Sequence, residues 1–156
     1  MMTIQRLMRY ASLALASIIL LTACGGDGGA SGGGGQLGVG TPGDQMVFDP
    51  TTLQGAGNAQ LTVAFTNNAT SLQHNWVLVN GGDDVAATVA QEGTAAGPEN
   101  GYIPTDQSNI IAHTKLLNAT EQDTVQFAAP AAGSYTYVCT VPGHYAAGMK
   151  GTLTVQ

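Results

Sequence analysis

"YVCTVPGHYAAGMKGTLTV", residues 137–155, gathers a cysteine, a histidine and a methionine into one short run, in a chain with only two cysteines, three histidines and five methionines among its 156 residues. Cys139, His144 and Met149 stand at C-x4-H-x4-M spacing. The tight turn signalled by Pro142 and Gly143, between a strand and the returning strand "KGTLTV", would draw the three side chains around one point. A second histidine, His74, opens the apolar stretch "HNWVLV" far upstream.

Two imidazoles, a thiolate and a thioether are the donor set of a blue-copper electron-transfer site, with three strong donors in a plane and a weak, long axial methionine. Each residue also has a plainer reading. Cys139 could be an inert buried thiol, His144 a loop histidine, Met149 a core filler, and His74 a hydrogen-bonded, half-buried residue. These four readings would have to coincide at ligand spacing. A disulfide between Cys24 and Cys139 leaves His144 and Met149 unexplained, and nucleophilic use of Cys139 has no accompanying oxyanion motif.

Around this run the apolar period is mostly two. "LTVAFTN" puts Leu61, Val63 and Phe65 on one side, "HNWVLV" puts His74, Trp76 and Leu78 together, and "SYTYVCT" aligns Tyr135, Tyr137 and Cys139. "NIIAHTKL", "DTVQFAAP" and "GTLTV" read as further strands, separated by turn-rich pieces such as "NGGDD" and "PAAGS". One helix is expected, in "DDVAATVAQEG" from Asp83, with Asp caps and Val85 and Val89 four apart. Many short strands with one helical excursion indicate a β-sandwich or a small barrel.

The chain opens with Arg6, Arg9 and an apolar run of 13 residues, Ala11 to Ala23, short for a membrane span and suited to an export signal. "LTAC" resembles the bacterial lipoprotein signal, which implies cleavage after residue 23 and lipidation of Cys24; simple secretory cleavage, with Cys24 left as a thiol, is the alternative. Between Gly25 and Gly43, 11 of 19 residues are glycine, so residues 24–43 are expected to form a coiled tether reaching roughly 25 Å. No P-loop lysine follows these glycines. Residues 44–156 remain as one domain of ordinary size. Beyond the signal, ten acidic residues face only Lys115 and Lys150, a side-chain charge of −8 against −6 for the full chain; nucleic acid is therefore not an expected partner.

"QHNWVLV" (73–79), "NIIAHTKLL" (109–117) and "CTVPGHYAAGMKGTLTV" (139–155) resemble segments of the cupredoxins and, within them, of the azurins and auracyanins. The resemblance covers nearly all of the chain from Met46 onward. It implies an all-β, cupredoxin-like Greek-key β-sandwich with one short helical excursion, and one copper ion cycling between Cu(I) and Cu(II). The implied ligands are His74, Cys139 and His144 in the plane and Met149 on the axis. Asn75 is implied to tie the two ligand loops together near the Cys139 sulfur, toward which the backbone N–H of Val141 also points. His113 is implied to be a surface histidine rather than a ligand.

Three departures bear on the site. Gln73 replaces the azurin glycine whose carbonyl approaches copper, "YAAG" has four residues where azurins have three, and the azurin disulfide has no counterpart. Asn68 and Asn118, in sequons, read as plain strand-edge asparagines in a bacterial protein.

The implied role is one-electron transfer, not catalysis on a substrate, in a photosynthetic or respiratory chain. The carrier would be a monomer, lipid-anchored on the periplasmic or extracellular face of a bacterial membrane. Its redox protein partners would meet His144 through a patch of Leu72, Val141, Pro142, Tyr145, Ala146 and Ala147. A copper storage or delivery module is the alternative. A copper oxidase would need paired His-x-His motifs, and the three histidines provide none.

Overall fold

Alternation along the strands builds two sheets in the computed structural model, which describes residues 35–156. The expected signal and Cys24 lie outside the described residues, as does the expected tether through residue 34. Eight strands follow in chain order: β1 (Gln36–Gly40), β2 (Thr52–Gly55), β3 (Gln60–Thr66), β4 (Val77–Val79), β5 (Ile110–His113), β6 (Gln122–Ala128), β7 (Gly133–Val138) and β8 (Lys150–Val155). A helix, α1 (Asp83–Ala96), and a short 3-10 turn (Pro98–Asn100) separate β4 from β5.

One sheet has the order β1-β3-β6 and the other β2-β8-β7-β4-β5. β1 runs parallel to β3, and β2 parallel to β8; the remaining pairs are antiparallel. The inward residues of the first sheet, Leu37, Val39, Leu61, Val63, Phe65 and Phe127, meet Leu53, Trp76, Leu78, Tyr137, Leu153 and Val155 of the second. Cys139 and Met149, two of the expected ligands, belong to this same buried cluster. The all-β sandwich expected from the sequence is the fold observed.

A second apolar layer explains why β4 is buried on both faces. Trp76 and Leu78 point between the sheets, whereas Val77 and Val79 point outward and pack with Val138, Ile103 and the helix residues Ala86 and Val89. The helix extends three residues beyond the expected stretch, to Ala96, and its N-cap is Gly82 rather than an aspartate. It buries Ala86, Val89, Ala90 and Gly93, a stripe at helical spacing. Gly93 sits inside the helix because a Cβ there would run into the Tyr102 carbonyl and lie 2.8 Å from Thr140 Cβ.

The expected domain boundary at Asp44 is too late. Gln36–Gly40, assigned from composition to the tether, pairs in register with Thr62–Thr66 and buries Leu37 and Val39. The glycines mask a strand whose two apolar residues, at period two, fill the sandwich edge. β2 was also not signalled by the sequence; its register with β8, Thr52 against Thr152 through Gly55 against Val155, supplies the partner that its short, glycine-ended stretch does not announce.

Candidate metal centre

Two loops at one end of the sandwich carry the donor atoms. The first leads into β4, where His74 makes an isolated bridge to Leu117, its N–H donating to the Leu117 carbonyl at 3.1 Å and its carbonyl accepting from Leu117 at 2.8 Å. Asn67 fixes this loop from beneath, its Nδ2 donating to the carbonyls of Leu72, Leu117 and Asn118 at 2.8, 3.2 and 3.0 Å. Asp44 fixes it from outside by accepting the N–H of Thr70 at 2.8 Å and of Ser71 at 3.1 Å. The Asp44 contacts span 26 and 27 residues, and those of Asn67 to Leu117 and Asn118 span 50 and 51, so no local motif announces them.

The second loop joins β7 to β8. His144 N–H donates to the Val141 carbonyl at 3.0 Å, Met149 N–H to the His144 carbonyl at 3.0 Å, and Cys139 N–H to the Met149 carbonyl at 3.2 Å. These bonds fold the run so that Cys139, His144 and Met149 all lie at its buried base. Gly143 (φ +83°) and Gly148 (φ +99°) take the left-handed conformations that this reversal needs.

Three donor atoms converge. Cys139 Sγ lies 3.4 Å from His144 Nδ1 and 3.9 Å from His74 Nδ1, and the two Nδ1 atoms are 3.1 Å apart. A point about 2 Å from all three lies inside this triangle, matching transition-metal distances of about 2.0–2.1 Å to imidazole nitrogen and approaching the 2.3 Å typical of thiolate sulfur. Among the described residues, this is the one grouping of His, Cys and acidic side chains placed to hold a metal ion. His113 stands apart from it on β5, its Nδ1 held 3.0 Å from the Thr114 carbonyl.

The electrostatics suit a cation. Burial pushes the Cys139 thiol up to about 12, although the backbone N–H groups of Asn75 and Val141 both point at its sulfur and favour the thiolate. A metal ion replacing that proton supplies the charge the buried sulfur lacks. Burial, with His144 adding a smaller repulsion, lowers His74 to about 4, and burial also lowers His144. Both rings are thus neutral at neutral pH, with lone pairs free for coordination.

Asn75, next to His74, is bonded to Thr140, next to Cys139. Its Oδ1 accepts the Thr140 N–H at 2.9 Å, and its Nδ2 donates to Thr140 Oγ1 at 2.8 Å and to the Gly101 carbonyl at 3.0 Å. Thr140 Oγ1 in turn donates to the Tyr102 carbonyl at 2.6 Å. The segment after α1 is therefore wired to the residue next to Cys139, a link the sequence did not disclose.

His74, Cys139 and Met149 are fully buried, whereas His144 keeps 5% of its surface exposed. Of the residues expected to form the docking patch, Leu72, Val141 and Tyr145 are half-buried, and Pro142, Ala146 and Ala147 are exposed.

Residues 36–156 match the family of copper binding proteins described as the plastocyanin/azurin family. Auracyanin-A of Chloroflexus aurantiacus is 44% identical over 149 residues, covering 90% of this chain and 91% of that protein. The solved structure of auracyanin A, a "blue" copper protein from the same bacterium, superposes with TM-score 0.76 and 46% identity over 80% of this chain and 100% of that one. Dithionite-reduced auracyanin from Roseiflexus castenholzii superposes with TM-score 0.75 and 42% identity over 78% of this chain and 96% of that one.

Proposed function

We propose that this chain, which belongs to the plastocyanin/azurin family of copper-binding proteins, carries one electron at a time between redox proteins. His74 Nδ1, Cys139 Sγ and His144 Nδ1 would hold the copper, with the Met149 sulfur as a further, weaker donor. The convergence of those three buried atoms to within 3.1–3.9 Å of one another carries this reading. When bound, copper supplies the one-electron couple; the protein supplies a donor set that neither oxidation state strongly prefers.

The remaining groups serve that couple. Asn75 and Val141 direct N–H dipoles at the thiolate, and Thr140 keeps the two loops in register. Anchoring donors on hydrogen-bonded loops keeps their positions similar in both oxidation states, so little reorganisation accompanies transfer. His144 alone among the donors reaches the surface, and its apolar surround suits brief docking with a partner. Buried donors on fixed loops favour a carrier over storage or delivery, which calls for an exchangeable site.

In this reading the carrier is a monomer held through a lipid on Cys24, at the periplasmic or extracellular face of a bacterial membrane, and serves a photosynthetic or respiratory chain. Among the described residues no helix is long and apolar enough to cross a membrane. The glycine-rich tether would raise the local concentration of membrane-bound partners.

Copper reconstitution of residues 35–156, followed by visible and electron-spin spectra and voltammetry, tests the electron-transfer reading, with Cys139→Ala as control. A colourless Cu(II) form, or a blue band that survives loss of Cys139, would refute it. Fast copper release with no reversible couple would favour delivery. For the anchor, radiolabelled lipid is expected on the full chain and not on its Cys24→Ala variant; equal labelling of both rejects lipidation.

A further inference from the structure

One carboxylate is bonded to the residue that follows each of two proposed ligands. Tyr145, next to His144, donates its hydroxyl to Asp83 Oδ1 at 2.9 Å and lies 3.2 Å from the Asp83 carbonyl. Lys150, next to Met149, places Nζ 2.8 Å from both Asp83 oxygens. The same ammonium sits 5.5 Å from the Tyr145 ring centroid, closing a three-membered cluster of one acid, one base and one phenol.

Between Tyr145 and the buried Met149, no side chain of the segment is tied to the rest of the domain. Ala146, Ala147 and Gly148 are exposed, and their backbone bonds stay within the loop, from Ala147 N–H to the Gly143 carbonyl and from Gly148 N–H to the Tyr145 carbonyl. With Tyr145 they make up the four-residue "YAAG" spacer. Asp83 itself is fixed at the first turn of α1, whose buried stripe packs on β4 and β7.

The geometry points to Asp83 as a positioning residue of the metal centre, one that adds to the Met149 N–H to His144 carbonyl bond in restraining the loop between those two residues, and so in holding the Met149 sulfur where it would serve as a donor. This rests on the assignment of those two residues as ligands. An axial thioether contact is long and weak, so a small restraint on the spacer displaces it more readily than it displaces the in-plane donors. The Lys150 and Asp83 side chains are 42% and 58% exposed, and exposed pairs add little to global stability. Their effect belongs in the site's spectrum and potential rather than in the unfolding midpoint.

Asp83→Ala and Asp83→Asn test the clamp on the full domain, with Asp84→Ala as the neighbouring control. In copper-free protein, amide exchange at Gly148 and Lys150 is expected to rise roughly three- to tenfold in Asp83→Ala, with a smaller rise in Asp83→Asn and none in Asp84→Ala. In copper-loaded protein, the intensity ratio of the thiolate bands and the reduction potential are expected to shift in the same order, with the unfolding midpoint near that of the unsubstituted protein. Tyr145→Phe should reproduce part of the shift, and adding it to Asp83→Ala should add less than it does alone. A folded, blue Asp83→Ala variant with unchanged exchange, band ratio and potential overturns the clamp. If Asp83→Ala does not fold, Tyr145→Phe decides by the same three readings. A parent protein that never turns blue rejects the ligand assignment instead, and copper-free exchange still reports on the clamp.

Discussion

Gly93→Ala sets helix propensity against packing. Alanine in a helix interior is favoured over glycine by about 0.8–1.0 kcal/mol, so an isolated α1 would gain from the change. In the protein, the new Cβ would meet the Tyr102 carbonyl oxygen and lie 2.8 Å from Thr140 Cβ. Neither neighbour yields readily: the carbonyl accepts a 2.6 Å bond from Thr140 Oγ1, and Thr140 is held twice by Asn75. Overpacking of this kind costs about 1–3 kcal/mol, and with a fixed backbone atom as the obstacle the upper half of that range applies. The net expectation is a loss of about 1–2 kcal/mol, a fall of roughly 0.5–1 M in the urea midpoint. Because Thr140 adjoins Cys139, the thiolate band should move as well. Ala87→Gly, on the exposed side of the same helix, isolates the propensity term. A Gly93→Ala protein with a higher urea midpoint and an unmoved band would refute the close-approach argument.

A chain beginning at Asp44 lacks β1 and the burial of Leu37 and Val39; at about 1.5–3 kcal/mol per side chain it should be about 3–6 kcal/mol less stable than one beginning at residue 35, and equal urea midpoints would refute this. Gly151→Ala would drive a Cβ into the Tyr137 ring, which is pinned by its 2.8 Å bond to the Pro50 carbonyl; a loss of at least about 2 kcal/mol is expected, and an unchanged melting profile would show that the ring can move aside. Hydrogen bonds from Thr70 and Ser71 hold Asp44 below its ordinary 3.8, so its contribution is present above that value and disappears as pH falls through the depressed one. Asp44→Asn should therefore lower the urea midpoint at pH 6, with the gap closing toward pH 2; a constant gap would place the effect elsewhere.

The donor run was legible because its chemistry and its geometry are both local: cysteine, turn, histidine and methionine lie within eleven residues, 139–149. His74 was legible because it opens an apolar stretch of period two. The structure adds that alternate residues of that stretch serve different layers, Trp76 and Leu78 in the sandwich and Val77 and Val79 beneath α1. The strands on either side of residues 41–51 were harder to see. β1 carries only two apolar side chains among glycines, and β2 gains its meaning from β8. Helix α1 was legible through Gly93, where composition suggests a stop; only the nearness of Tyr102 and Thr140 shows why glycine sits inside it. Asn67, Asp44 and Asp83 act mostly on partners 26 to 67 residues away, and no spacing rule within a window reaches those contacts.

The direction of β1 gives the domain a polarity. It runs parallel to β3, from Gln36 beside Thr62 to Gly40 beside Thr66, and passes on to Thr41, which is bonded to Asn67 and Asn68 near the His74 loop. The backbone thus travels roughly 13 Å toward the metal end after joining the sheet at Gln36. An electrode linked rigidly to residue 35 would therefore hold the domain by the pole opposite the donor atoms and leave the His144 end facing solution.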